Sequence, residues 1–248
     1  MIRPLALDSY QHIVVLTGAG ISVASGLKAF RGPGGIWNDA QIERYGTKEA
    51  VELEPEGMWR LWGSLRPMIT EAKPNAAHLA LANLELALKA QQSFTLITQN
   101  IDGLHQKAGS QGVLEIHGNV TYSRCSNPRC ELKPFIDQEA HLDRAPLCPQ
   151  CTSVLRPDIV LFNEFLPEKT LRAAKYALNR ASLFIAIGTS GTVAPASSFV
   201  VSARYAGART MLINLESIGQ AIGENHYFQE EILGRAEEVL PQLFGLEV

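Results

Sequence analysis

Short apolar runs alternate with amphipathic segments along most of this chain. The runs at 12–17, 94–98, 183–187 and 210–214 are almost continuously apolar, as expected of parallel strands covered on both faces. Helical patterns separate them: Asn75 is a good N-cap for a helix to about residue 91, Pro167 precedes another to about 179, and a last helix is predicted over about 230–240. This order predicts an α/β fold with a doubly wound parallel, Rossmann-like sheet.

Two segments interrupt this alternation, and we expect them to form a smaller domain. Residues 32–74 hold all three tryptophans without a clear strand pattern, which indicates a helical module. Residues 119–157 hold all four cysteines, which is typical of a small metal-bound, zinc-ribbon module. The Rossmann-like domain is then expected to comprise residues 1–31, 75–118 and 158–248.

A glycine-rich turn follows the first predicted strand. Gly18, Ala19, Gly20 and Ser22 begin an incomplete G-x-G-x-x-G pattern, in which Val23 occupies the third glycine position. Glycines at a strand end let the backbone turn tightly and approach a pyrophosphate, which the N–H groups of the following helix then face. Taken alone, the incomplete pattern is a weak signal of dinucleotide binding.

Polar groups also follow the other three predicted strands. Open α/β sheets bind ligands at the carboxyl ends of their strands, so these amides, hydroxyls and carboxylates suit the amide, ribose and phosphate groups of a nucleotide. By itself, each segment is equally compatible with an ordinary turn or a helix N-cap. The residues concerned are Gln99, Asn100, Ile101 and Asp102, then Gly188, Thr189 and Ser190, and finally Asn214, Leu215 and Glu216.

The cysteines form two close pairs, Cys125-x4-Cys130 and Cys148-x2-Cys151, separated by 17 residues. This spacing predicts a tetrahedral, structural Zn²⁺ site of four thiolates. Two disulfides or four free thiols are the alternatives, and a reducing compartment disfavours the disulfides. Because all four cysteines are used, no catalytic cysteine is expected.

Composition and charge narrow the classes of function that the chain can have. The chain has 248 residues, is 46% hydrophobic and 19% charged, and carries a net charge of −3, which is typical of a globular protein and disfavours nucleic-acid binding. The sequence has no apolar run of membrane-spanning length and no signal-peptide pattern at its N-terminus. We therefore expect a cytoplasmic protein without a membrane partner.

His117 is a candidate general base. It follows an apolar stretch and directly precedes the cysteine-rich module, at a junction of the kind where small ligands bind. A neutral imidazole can accept a proton at physiological pH. The alternative is a structural role, which we also assign to the other five histidines.

These segments, in this order, resemble the sirtuin family of NAD-dependent protein-lysine deacylases. The resemblance spans nearly the whole chain. Its matching segments are Gly18–Ser22, Ser25–Leu27, Phe30–Gly32, Gly35, Trp37, Thr98–His105, Ala108-Gly109, His117-Gly118, the two cysteine pairs, Leu155–Pro157, Val160, Phe162, Glu164, Gly188–Ser190, Asn214–Glu216, Gly234 and Ala236.

The resemblance implies NAD as co-substrate, structural zinc and His117 as the base that activates a ribose hydroxyl. Nicotinamide, free lysine and O-acyl-ADP-ribose are the implied products. By the same resemblance, the pyrophosphate is lined by Gly18, Ala19, Gly20 and Ser22, and a loop that closes over NAD contains Phe30 and Arg31. The nicotinamide ribose and amide are held by Gln99–Asp102. The phosphate and adenosine are contacted by Gly188–Ser190, Asn214–Glu216 and Ala236.

The implied protein partner is an acylated lysine side chain of a protein or peptide, bound by a monomeric enzyme. Val160, Phe162, Asn163 and Glu164 resemble one side of the peptide cleft. Asn163 replaces the family's usual glycine, and Asn is the residue other than glycine that best tolerates a positive φ.

The acyl pocket is expected to be apolar. Sirtuins that remove acidic acyl groups carry a Tyr-x-x-Arg pair, and the corresponding positions here are Trp62 and Leu65. Arg66 is one residue off, about 100° around a helix, and should point elsewhere. We therefore expect removal of acetyl or longer apolar acyl groups and weak action on acidic ones.

Two other functions remain open at this point. The first is an NAD-consuming ADP-ribosyltransferase or NAD glycohydrolase, which would pass the ribose to a side chain or to water. The second is a non-enzymatic sensor of NAD or of acyl-lysine.

Overall fold

The computed structural model describes residues 2–29, 40–189, 198–217 and 227–245. Within this part, a parallel six-stranded sheet and an antiparallel three-stranded sheet have the orders β3-β2-β1-β7-β8-β9 and β5-β4-β6. The strands are β1 (His12–Thr17), β2 (Ser93–Thr98), β3 (Val113–Glu115), β4 (Gly118–Cys125), β5 (Phe135–Ile136), β6 (Leu155–Ile159), β7 (Leu183–Ile187), β8 (Arg209–Asn214) and β9 (Glu230–Leu233).

The helices of the described part cover both faces of the large sheet and build the inserted segments. They are α1 (Ala40–Tyr45), α2 (Lys48–Leu53), α3 (Pro55–Gly63), α4 (Leu65–Glu71), α5 (Ala76–Ala87), α6 (Leu104–Lys107), α7 (Glu168–Leu178), α8 (Phe199–Tyr205) and α9 (Ala236–Phe244), with 3-10 helices over Leu7–Ser9 and Ala19–Ser25.

The order of the large sheet confirms the predicted doubly wound class. The chain runs outward from β1 to β3, crosses back to β7 on the other side of β1, and continues outward to β9. Alternate residues of each strand face opposite layers: Val15 packs with α5 and α9, whereas Val14 packs with α7 and α8. The reversal between β1 and β7 opens the crevice in which such folds bind ligands.

The four central strands match the predicted apolar runs, but the last predicted helix is wrong. Instead of one helix over 230–240, the chain forms the edge strand β9 and then α9, with Gly234 between them. The strand escapes a periodicity argument because it has only four residues, none of them fully buried. Its Glu230 forms an ion pair with Arg209 of the neighbouring strand β8.

Asn75 caps α5 as predicted, although the helix ends at Ala87, short of residue 91. Its side-chain oxygen accepts from the Ala77 N–H at 2.9 Å. Its side-chain amide donates to the Ile21 carbonyl at 2.8 Å and to the Ser25 hydroxyl at 2.9 Å. The same residue therefore starts α5 and holds the segment that follows β1.

The two inserted segments share one hydrophobic core. Trp59 of α3 and Ile69 of α4 pack with Val120 of β4 and Leu155 of β6. The three-stranded sheet extends one residue before and two residues beyond the predicted 119–157 module, since β4 begins at 118 and β6 ends at 159. The described part of the chain contains no helix long and apolar enough to cross a bilayer.

Arg66 of α4 joins the two segments. Its side chain is fully buried and donates to the carbonyls of Val120 at 2.8 Å and Tyr122 at 3.2 Å. It also forms an ion pair with Asp137 at 3.1 Å and lies 4.7 Å above the Trp59 ring. Arg66 thus points away from the acyl pocket proposed for Trp62, as the helical geometry predicts.

Candidate active site

A cavity of about 1630 Å³ lies where the carboxyl ends of the central strands meet the inserted segments. It brings together every described residue predicted to bind a cofactor or substrate. These are Gly18, Ala19, Gly20, Ser22, Trp62, Leu65, Gln99, Asn100, Ile101, Asp102, His117, Val160, Phe162, Asn163, Glu164, Gly188, Thr189, Asn214, Leu215, Glu216 and Ala236. Phe30, Arg31 and Ser190 lie outside the described residues.

Two glycine loops pack backbone against backbone at the crevice. A Cβ on Gly18 would lie 2.7 Å from the Gly188 carbonyl oxygen, and one on Gly20 would lie 2.7 Å from the Gly188 Cα. Gly188 itself has a φ of +60°, which disfavours any side chain there. The Gly20 N–H donates to the Gly188 carbonyl at 2.9 Å, so these glycines fix the contact between the loops after β1 and β7.

Ser22, Asn100 and Asp102 form a buried polar group in the cavity wall. The Ser22 hydroxyl donates to Asp102 Oδ2 at 2.7 Å, and the Asn100 amide donates to the Ser22 oxygen at 3.1 Å. The second Asp102 oxygen accepts from the Leu104 N–H at 2.9 Å. Burial raises the pKa of Asp102 despite these bonds. Both carboxylate oxygens therefore have protein partners, and Asp102 shapes this wall through Ser22.

A second chain of bonds crosses three strand ends. The Gln99 side-chain amide donates to the Thr189 hydroxyl at 3.1 Å, and the Asn214 amide donates to the Thr189 carbonyl at 2.9 Å. Gln99 and Thr189 follow β2 and β7, the two neighbours of β1, and Asn214 is the last residue of β8. Amides and a hydroxyl thus line the crevice on both sides of the glycine contact.

His117 is held in one tautomer by the backbone. Its Nδ1 lies 2.8 Å from the Gln99 carbonyl oxygen, and because a carbonyl only accepts, Nδ1 carries the hydrogen. The ring is half-buried at the cavity wall, and burial lowers the pKa of His117 below its usual value of 6.5. Nε2 is therefore an unprotonated base at neutral pH.

The segment 160–164 forms one wall of the cleft and is fixed on its far side. The Phe162 N–H donates to the Gly46 carbonyl, and the Lys48 N–H donates to the Phe162 carbonyl, both at 3.0 Å. Asn163 has a φ of +67°, the left-handed conformation expected of it. Its side-chain amide donates to Glu49 of α2 at 3.1 Å, which holds this wall against the helical segment.

Glu164 lies in the cavity wall, and its carboxylate forms hydrogen bonds within the protein. Arg156 donates to both oxygens, at 2.6 and 2.9 Å, and the Leu161 N–H donates to one of them at 2.9 Å. These bonds hold the pKa of Glu164 below its usual value. Glu164 therefore fixes the conformation of segment 160–164.

The part of the cavity beside α3 and α4 is apolar. Trp62 and Leu65 line it, and so do Met68 and Ile69. Sequence reasoning missed the last two, although they follow Leu65 at helical spacings of three and four residues. Lys28, Arg235 and Glu237 also line the cavity and were not predicted, since no motif distinguishes them from surface charges.

The four cysteines converge on one point. Their sulfur atoms all lie within 4.8 Å of one another, with Cys125 and Cys151 3.5 Å apart and Cys130 and Cys148 3.6 Å apart. Sulfurs at about 2.3 Å from a tetrahedral Zn²⁺ are about 3.8 Å apart. None of the four is in a disulfide. The donor set and its spacing fit zinc.

The family follows from a direct comparison. A family model described as the Sir2 family matches residues 18–195. The chain belongs to the Sir2 family. This confirms the sirtuin resemblance stated from the motifs.

Relatives and solved structures agree with this assignment over nearly the whole chain. The "NAD-dependent protein deacylase 2" of Pyrobaculum aerophilum is 40% identical over 237 residues, covering 96% of this chain and 91% of that protein. The "NAD-dependent protein deacylase" of Shewanella oneidensis is 41% identical over 236 residues, covering 94% and 93%.

Among solved Sir2 structures, the crystal structure of a Sir2 homolog–NAD complex superposes with a TM-score of 0.84 at 32% identity, covering 99% of this chain and 95% of that one. A Sir2–p53 peptide–NAD⁺ complex superposes with a TM-score of 0.80 at 35% identity, covering 95% and 93%. The Sir2 fold therefore includes both the large sheet and the inserted segments of this chain.

Proposed function

We propose that this chain is an NAD-dependent protein-lysine deacylase with a structural zinc ion. The observation that carries the proposal is the fixed tautomer of His117, which presents a basic Nε2 at the wall of a cavity that also contains the glycine contact between Gly20 and Gly188. Relatives that match over nearly the whole chain and are named as deacylases also support the proposal.

The crevice between β1 and β7 fits NAD by its shape and its donors. The backbone at Gly18 and Gly20 is free of side chains, and the Gln99, Thr189 and Asn214 group offers amides and a hydroxyl to ribose and phosphate oxygens. Bound NAD supplies an electrophilic ribose carbon at its bond to nicotinamide. The protein therefore needs no nucleophile of its own, consistent with four cysteines that are all grouped at the metal site.

Within this proposal, His117 takes a proton from a ribose hydroxyl. The Gln99 carbonyl keeps the hydrogen on Nδ1 and so holds the second ring nitrogen ready to accept. Burial stabilises the neutral ring before the reaction, and the same carbonyl stabilises the imidazolium once the proton has been transferred.

The acylated lysine enters between segment 160–164 and the glycine-rich side of the cavity. The apolar wall of Trp62, Leu65, Met68 and Ile69 suits acetyl and longer uncharged acyl groups. Acidic acyl groups fit poorly, since the nearby Arg66 is fully buried and bonded to the small sheet. We further propose a monomeric, cytoplasmic enzyme without nucleic-acid partners, and the net charge of −3 supports the last of these.

His117→Ala tests the proposal. Loss of a positioned base costs about 10²–10⁴-fold in rate, so deacylation of an acetyl-lysine peptide should fall by at least about 100-fold while NAD affinity stays within about threefold. His12→Ala is the matched control, because His12 begins β1 at the opposite end of the strand from the cavity. Equal activity in the His117 variant would remove this residue from the mechanism.

Mass spectrometry of the NAD-derived product separates the remaining functions. O-acyl-ADP-ribose supports deacylation, whereas free ADP-ribose or an ADP-ribosylated protein supports the glycohydrolase or transferase. Unchanged NAD after incubation with an acetylated peptide would instead support a sensor.

A further inference from the structure

An exposed aromatic ring lies at the rim of the cavity. Phe165 directly follows the wall segment 160–164, lines the cavity and is 99% exposed. No other large apolar side chain of the described residues is as exposed. Single exposed apolar residues are ordinary on protein surfaces, but Phe165 is part of a patch, because Leu166 and Leu171 also line the cavity. Both leucines are half-buried against the layer that α7 and α8 form on the large sheet.

The backbone that leads to Phe165 is fixed relative to the proposed base. The Val160 N–H donates to the His117 carbonyl at 2.9 Å, so the wall segment begins beside the base. The segment then turns, and the Glu164 N–H donates to the Leu161 carbonyl at 3.1 Å. The ring of Phe165 therefore follows a hydrogen-bonded turn and lies on the same side of the cleft as the wall.

The neighbours of Phe165 favour an apolar ligand group. The two charged residues nearest to it along the chain are both paired within the protein. Glu164 accepts from Arg156 at 2.6 and 2.9 Å, and Glu168 forms an ion pair with Arg172 at 2.5 Å. A ligand side chain that covers the patch of Phe165, Leu166 and Leu171 would remove apolar surface from water on both partners, which is favourable.

A peptide that places its acylated lysine at His117 must pass this patch with its neighbouring residues. Successive residues of an extended peptide are about 3.3 Å apart, so the side chains that can reach Phe165 are those close to the lysine. The acylated lysine is common to all substrates. Contacts with flanking residues are therefore where the enzyme can distinguish one peptide from another.

We propose that Phe165 is a specificity-determining residue that contacts an apolar side chain within about two residues of the acylated lysine. The inference rests on the proposed deacylase function and narrows its substrates to proteins with an apolar residue beside the modified lysine. The contact involves binding alone, so the chemistry assigned to His117 is the same for every peptide.

A positional peptide set tests the proposal. Each peptide is a glycine- and serine-based sequence with one acetyl-lysine and either leucine or asparagine, which are similar in size, at one of the two positions before or after it. With saturating NAD, at least one position should show a preference of about three- to tenfold in kcat/KM for leucine. Phe165→Ser removes the ring, so this preference should fall to within about twofold. The change should appear in KM, because the ring touches no reacting atom.

Tyr205→Ser is the control variant. Tyr205 is an aromatic residue of α8 that is 90% exposed and outside the cavity lining, so its loss should leave the leucine preference unchanged. Both variants replace exposed rings, and both should melt within a few degrees of the wild type. A wild-type enzyme with no preference at any position, or a preference that survives in Phe165→Ser, would overturn the proposal.

Self-association is the other use that an exposed apolar patch can have. Analytical ultracentrifugation over a range of protein concentrations detects it. A monomer at all concentrations supports a peptide contact, whereas a wild-type dimer that Phe165→Ser dissociates would assign the ring to a second copy of the chain and overturn the proposal.

Binding separates this proposal from the deacylase function. Isothermal titration of the leucine and asparagine peptides into His117→Ala protein requires no turnover. Tighter binding of the leucine peptide that is lost in the Phe165→Ser, His117→Ala double variant supports the contact, and equal binding of the two peptides contradicts it. If the wild-type protein removes no acyl group from any peptide, the proposed function fails, while the titration still decides the role of Phe165.

Discussion

Two histidines behind the cavity, His78 on α5 and His105 on α6, should make the fold sensitive to acid. Both are fully buried, with ring centroids 4.9 Å apart. The Thr17 hydroxyl donates to Thr98, so it accepts from His105 Nε2–H at 2.9 Å. The Asn75 N–H donates to His78 Nδ1 at 3.4 Å. Neither ring has an acidic partner among these bonds, so a proton on either would be an uncompensated buried charge.

Burial lowers the pKa of His78 to about 4 and that of His105 to about 3, from the usual 6.5. Between these values and 6.5, the unfolded chain binds two protons that the folded protein does not. Stability is therefore fully present above pH 6.5 and falls with acidification, at about 1.4 kcal/mol per pH unit for each histidine. The pair together contributes a slope of about 2.7 kcal/mol per pH unit near pH 5.

The assay is urea unfolding between pH 5 and 7, followed by far-ultraviolet circular dichroism. His105→Gln keeps a donor at the Nε2 position, and His78→Asn keeps an acceptor at the Nδ1 position, so each removes one titration while preserving a bond. Each variant should reduce the slope by about 1.4 kcal/mol per pH unit near pH 5. Taking the difference from wild type cancels the contributions of other titrating groups. A slope equal to wild type in both variants would refute the reasoning.

Three further changes test other parts of the structure. Cys148→Ser should lose bound zinc by metal analysis and lower soluble yield, because metal binding supplies folding free energy in such modules; a stable, zinc-containing variant would contradict the four-thiolate site. Arg66→Met should reduce the free energy of unfolding by about 3–5 kcal/mol, since it leaves Asp137 without its buried partner, and urea unfolding that matches wild type would refute this. Gly188→Ala should cost about 2 kcal/mol or more and raise the KM for NAD, because its Cβ would lie 2.6 Å from the Ile21 nitrogen; an unchanged melting temperature and KM would contradict the tight contact.

The sequence allowed the central sheet to be predicted because burial on both faces makes each central strand a continuous apolar run. The edges of the sheet lack this signal. β3 has three residues, all half-buried, and β9 has four, none of them buried. The polar strand ends were also predictable, because parallel strands bring their carboxyl ends to one side and so collect Gln99, Thr189 and Asn214.

The sequence did not indicate which side chains would form hydrogen bonds or ion pairs with residues that are distant along the chain. Asp102 was expected to bind the cofactor, and nothing in its local sequence indicated that its oxygens would also accept from the Ser22 hydroxyl and the Leu104 N–H. Arg66 gave no signal of its own, and its bonds reach residues more than 50 positions away. A local sequence pattern shows which polar groups a segment contains. The bonding partners of Asp102 and Arg66 depend instead on which distant segments the fold places beside them.

The missing third glycine at Val23 has a physical explanation in the same terms. A third glycine in a dinucleotide loop allows a helix to pack closely on the neighbouring strand. Here the segment Ala19–Ser25 is a 3-10 helix, and Val23 is 51% exposed and lines the cavity. Asn75 holds this segment at Ile21 and Ser25. Because Val23 is exposed, a side chain is tolerated there, whereas glycine is required at Gly18 and Gly20 by the contact with Gly188 and at Gly26 by its φ of +87°.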